Sequence, residues 1–104
     1  MLDNIVSEYL FSMGIDLSIY GIKTMVWNEN QIIEVLCSVN SKGAIVLGGD
    51  VYVFQNGRYI ATGDSWFYNG KDVGESHEKA LNYVKNYIER NCSCVWFGIV
   101  IKNP

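Results

Sequence analysis

Three stretches of this sequence space their apolar residues as helices do. From Leu2 to about Ser12, Ile5, Val6, Tyr9 and Leu10 recur at helical spacing, with Asp3 placed to cap the segment and Gly14 to end it. Ile15 to Val26 mixes β-branched and polar residues around Gly21 with no clean period. It reads as an irregular connection holding at most a short extended piece. A second helix is predicted from Asn28, where Asn28-Glu29-Asn30-Gln31 has the outline of a capping box: Asn28 accepts from the backbone ahead and Gln31 can reach back. Ile32, Leu36 and Val39 form its stripe, widened by Ile33, Val35 and Cys37, and Lys42-Gly43 provides a left-handed stop. The third helix is predicted from about Glu75 to Arg90. Ala80, Leu81, Val84, Tyr87 and Ile88 share one face, while Glu78, Lys79, Asn82, Lys85, Asn86 and Glu89 share the other. Asp72 or Ser76 is placed to cap it.

Between the second and third helices the spacing changes to that of strands. Ala44 to Leu47 is short and continuously apolar, as in a central strand. The run breaks at Gly48-Gly49-Asp50 and resumes as Val51 to Gln55. Asn56-Gly57 is a strong two-residue hairpin signal, and it sets Phe54 opposite Tyr59, Val53 opposite Ile60 and Gln55 opposite Arg58. Thr62-Gly63-Asp64 is expected to turn the chain again, making Ser65 to Tyr68 the next strand of a meander. Val95 to Ile101 is apolar enough to be a final, central strand. The order predicts one α+β domain over residues 1–104. Its mostly antiparallel sheet has four to five strands with a central meander or hairpin, packed by two to three helices.

Composition narrows the function classes. Of 104 residues, 49% are hydrophobic and 18% charged, which suits a folded core, and the single proline leaves no linker to divide the chain. No basic leader precedes the first apolar residues, and Val95 to Ile101 is too short to cross a bilayer, so a cytoplasmic protein with no membrane contact is expected. The net charge of −3 repels polyphosphate and argues against direct nucleic-acid binding. It favours a basic protein partner, although mild acidity also serves solubility. Exposed strand edges leave the oligomeric state open.

Catalytic chemistry finds little to use. His77, the one histidine, lies among Glu75 and Glu78 and reads as a solvated surface residue. No Gly-x-Ser-x-Gly elbow and no phosphate-binding Gly-x-x-x-x-Gly-Lys loop occurs. Cys37, Cys92, Cys94 and His77 lack the paired spacing of a zinc site, and the thiols read as reduced and mostly buried. No metal, cofactor or catalytic residue is therefore assigned. What remains is a set of carboxylates and rings: Asp50, Asp64, Trp66, Tyr68, Asp72, Glu75 and Glu78 are the candidate partner contacts. Alternation in Asp64-Ser65-Trp66-Phe67-Tyr68 leaves two cases open. Either Phe67 points outward, or the Trp66–Tyr68 pair does and can act as an interface hot spot.

The Gly48-Gly49-Asp50-Val51-Tyr52 run, the Asn56-Gly57 turn, Asp64-Ser65-Trp66-Phe67-Tyr68 and the helix carrying Ala80 and Tyr83 to Tyr87 resemble the immunity protein 40 family of bacterial polymorphic-toxin systems. The resemblance implies a small cytosolic α+β protein that neutralises a cognate toxin domain, often one delivered by contact-dependent or other interbacterial routes. It carries over no catalytic residues. Joined to the acidic charge, it leads to the expectation of an inhibitor that occludes a basic nuclease (RNase or DNase). A small-molecule or peptide-binding module is the alternative.

Overall fold

Asn28 closes a strand and opens a helix, and that junction organises the first half of the molecule. The computed structural model describes residues 6–20, 24–90 and 95–102. The strands are β1 (Ile15–Asp16), β2 (Met25–Asn28), β3 (Ile45–Gln55), β4 (Arg58–Phe67) and β5 (Val95–Lys102). The helices are α1 (Glu8–Met13), α2 (Glu29–Ser41) and α3 (Val73–Arg90), with a 3₁₀ turn at Leu17–Tyr20. The strands form one sheet in the order β1-β2-β5-β3-β4, and every neighbouring pair is antiparallel. The α+β class, the strand number and the central place of Val95 to Ile101 are as the sequence predicts.

Helix ends follow local chemistry. Asn28 Oδ1 accepts from the Asn30 and Gln31 amides, each at 3.0 Å. Gln31 does not return the bond, since its buried Oε1 has no partner, so the capping box is one-sided. At the other end Gly43 takes φ +75°, and the Ala44 amide donates to the Val39 carbonyl at 3.2 Å. Asp72 caps α3, accepting from the Glu75 amide at 2.8 Å. Ser76, the alternative cap, is buried instead, and its hydroxyl accepts from the Val46 amide at 3.2 Å. The cap of α1 is Ser7, which accepts from Leu10, while Asp3 and the earlier start of this helix lie outside the described residues. Tyr9, expected on the apolar face, is exposed. The irregular connection holds β1 and the 3₁₀ turn and runs into β2, where Leu17 is buried and the Asp16 carboxylate accepts from the Ser18 amide at 2.9 Å.

Two departures from expectation shape the sheet. The Gly-Gly-Asp triplet does not break the strand: β3 runs unbroken through it. Instead β3 gains one residue against β5, since Val46 pairs with Ile101 but Gly48 pairs with Val100. The inserted residue, Leu47, moves the alternation by one, so Val46 and Val51 both face the helices although their spacing is odd. Likewise Thr62-Gly63-Asp64 is no turn between separate strands. It is a bulge within β4, where Asp50 pairs with Ser65 and Tyr52 with Ala61. The Thr62 hydroxyl ties it down by donating to the Val51 carbonyl at 3.1 Å and accepting from the Asp64 amide at 3.1 Å. The Asn56-Gly57 hairpin has the expected register, with Asn56 at φ 52° and Gly57 at φ 76°.

α2 and α3 pack on one face of the sheet over Val46, Val51, Phe97, Ile99 and Ile101. α1 is anchored to this core by the Trp27 indole, which donates to the Leu10 carbonyl at 2.7 Å. Among the described residues the opposite face is roofed at one end, where Leu17 packs with Val26 and Tyr52 beside Tyr59 and Trp96.

Candidate partner-binding surface

The residues that combine charge with aromatic area converge where the end of β4 runs beneath α3. Trp66 pairs with Gly49, and its indole occupies the space above that glycine: a Cβ there would lie 2.3 Å from Trp66 Cη2. The indole then stacks on Tyr83 at 4.8 Å, Tyr83 on Tyr87 at 6.0 Å, and Tyr87 meets Phe97 edge-on at 6.0 Å. This ladder of rings fastens α3 to the sheet. Trp66 therefore faces the core and is only 7% exposed.

Tyr68 is buried as well, folded over the bare backbone of Gly70, where an added Cβ would meet the Tyr68 ring. The alternation left open in the sequence is settled: Phe67, 68% exposed, is the ring that points outward. The two buried tyrosines reach the surface through their hydroxyls. Tyr68 donates to Glu75 Oε1 at 2.7 Å and accepts from the Asp72 amide at 3.1 Å. Tyr87 donates to Asp64 Oδ2 at 2.8 Å. Burial first, and then the hydrogen-bonded carboxylate, raises each hydroxyl above the usual tyrosine range.

The seven candidate contacts are thus divided. Asp72, Glu75 and Glu78 are exposed around the start of α3, and Asp64 is exposed on β4 against the last turn of that helix, so the rim follows the length of α3; Asp64, Asp72 and Glu75 are held by hydrogen bonds. Trp66 and Tyr68 support that rim from beneath and offer little surface themselves. Asp50 lies on the opposite face of the sheet, exposed beside Ser65. Phe67, left as one of two cases by the sequence, is exposed with the Lys79 ammonium 5.8 Å from its ring centroid, and the residue that sequence reasoning passed over is Val100, exposed on a central strand. Nothing local marks Val100.

Residues considered for chemistry are spread out. His77 is half-buried rather than solvated, with an unpartnered buried Nδ1. Cys37 is exposed rather than buried, and Cys92 and Cys94 lie outside the described residues. Among the described residues no group of three or more His, Cys, Asp or Glu side chains could hold a metal ion, and no helix is long and apolar enough to cross a membrane.

Fold and site define a small α+β protein whose exposed carboxylates and Phe67 ring lie along a five-stranded antiparallel sheet. Within that class the chain belongs to a known family: the model described as Immunity protein 40 matches residues 16–101, from the end of β1 almost to the end of β5. The resemblance carried by the Gly-Gly-Asp and Trp-Phe-Tyr stretches is therefore confirmed, and the chain is an immunity protein directed at a toxin. No curated protein matches it.

Proposed function

We propose that this immunity protein neutralises a basic nuclease toxin by covering its active site with the β4–α3 rim. In this reading it acts in the bacterial cytoplasm, against a toxin delivered by contact-dependent growth inhibition. A cleft that holds nucleic acid is lined with cations, and carboxylates spaced along a rigid edge can stand in for phosphates. The net charge of −3 favours such a partner. One observation carries the reading: two tyrosine hydroxyls rising from the core, those of Tyr87 and Tyr68, hold Asp64 and Glu75, and the Phe67 ring stands exposed at the end of β4. Carboxylates already fixed in place lose little freedom on binding, which favours affinity. The hollow beside this rim is open to solvent, a shape better suited to a protein surface than to an enclosed small ligand.

Titration of the purified toxin domain with this chain tests the proposal. Unaltered protein is expected to bind and to stop nucleic-acid cleavage, with an association rate that falls steeply as salt is added. Asp64→Lys combined with Glu75→Lys is expected to weaken binding by about a hundredfold or more, whereas Asp64→Asn with Glu75→Gln, which keeps the acceptors, retains the fold. Unchanged affinity in the double lysine variant would remove the phosphate-mimic mechanism. A toxin that cleaves no nucleic acid would remove the nuclease assignment.

A further inference from the structure

The rim leaves one face of the sheet unused. β5 is the middle strand of five, yet Val100 is 56% exposed, because among the described residues the layer over this face ends with Leu17, Tyr52 and Trp96. Beyond that roof lies an open hollow of about 310 Å³. Its lining includes the backbone of Gly48 and Gly49, the apolar side chains of Phe67 and Val100, and the polar groups of Asp50 and Ser65. Asp50 stands exposed in it, and its carboxylate has no hydrogen bond to the described residues. The carboxylate is here because of the Leu47 bulge: in an unbroken alternation from Val46 it would have pointed under the helices.

We propose that this hollow is the socket for a lysine or arginine side chain of the toxin. The inference rests on the reading of the chain as a toxin-binding protein and extends its contact surface around the β4 edge. Lysine and arginine join an apolar stem to a charged head. The hollow offers the matching pair: Phe67 and Val100 flank the stem, and Asp50 meets the head, with the Ser65 hydroxyl as a further acceptor. An acidic or wholly apolar side chain would leave the Asp50 carboxylate opposed or unpaired, so the chemistry selects a cation.

Binding of the toxin domain to Asp50→Asn, Asp50→Lys and Phe67→Ala variants tests the socket, with far-ultraviolet circular dichroism confirming the fold. Asp50→Asn is expected to weaken binding about tenfold, Asp50→Lys about a hundredfold, and Phe67→Ala about tenfold. One lysine or arginine of the toxin, changed to glutamate, is expected to restore binding to Asp50→Lys and to no rim variant. Native affinity in Asp50→Lys and Phe67→Ala, alongside loss in the Asp64/Glu75 double variant, would overturn the socket and leave the rim standing. Absence of toxin binding by the unaltered chain would overturn both. Self-association that Phe67→Ala abolishes would assign the face to a second copy and equally defeat the proposal.

Discussion

Tyr87 and Asp64 are joined by a 2.8 Å hydrogen bond across twenty-three residues of chain, from the core-facing side of α3 to the bulge in edge strand β4. The bond couples the bulge to the ring ladder that fastens the helix, so surface charge and core packing share one support. Removing the hydroxyl with Tyr87→Phe keeps the ring stack and frees the carboxylate to water. Stability is expected to fall by about 1 kcal/mol. Urea denaturation measures this, and toxin affinity should fall with it, because Asp64 then loses its fixed position.

Gly49 carries a larger penalty for a smaller change. A methyl group there would sit 2.3 Å from the Trp66 indole and 2.4 Å from the Gly98 carbonyl oxygen. One of those obstacles is backbone, so the side chain cannot relieve the clash by turning alone. Gly49→Ala is expected to cost about 2–3 kcal/mol and to lower the denaturant midpoint accordingly. Gly57→Ala, by contrast, meets nothing within 4 Å and strains only the turn backbone at φ +76°, so its loss is expected to be the smaller of the two.

Trp27 is completely buried, and its indole N–H holds the Leu10 carbonyl at 2.7 Å. Trp27→Phe removes both the bond and part of the volume against which Gly14 packs. The expected loss is about 2–4 kcal/mol. Hydrogen exchange should quicken first at the amides of α1, Glu8–Met13, before it does in β5.

Alkaline pH offers a test of the tyrosine network. Tyr68, Tyr83 and Tyr87 all titrate above the usual tyrosine range, foremost because burial disfavours their ionised forms. Their contribution to stability is therefore complete below the unfolded value of about pH 10 and is lost as pH rises through the folded values. Thermal melts are expected to hold level to about pH 10 and then decline, with tyrosinate absorbance appearing together with unfolding. Tyrosinate that forms in the still-folded protein at its ordinary pH would contradict the burial argument.

Several elements were legible because their cause is local. Asn28 caps whatever helix follows it, Asn56-Gly57 turns by its own backbone preferences, and Ala80 to Ile88 repeat at the helical period whatever they pack against. β1 and the start of β2 were not legible: two and four residues long, they exist by pairing with each other and with β5. The same holds for the bulges. Gly-Gly-Asp looks like a break and Thr-Gly-Asp like a turn, yet neighbouring strands carry both through as irregularities in continuous strands.

Read alone, the sequence determined the α+β class, the Asn28 cap, the hairpin register and the family, each legible from residue pattern or from motifs that need no partner. The tertiary structure decided which side chains meet the outside. Strand side chains alternate with a period of two, so a single inserted residue such as Leu47 reverses the face of every residue after it. That insertion places Asp50 on the open sheet face, and pairing with Gly49 turns Trp66 inward and Phe67 out.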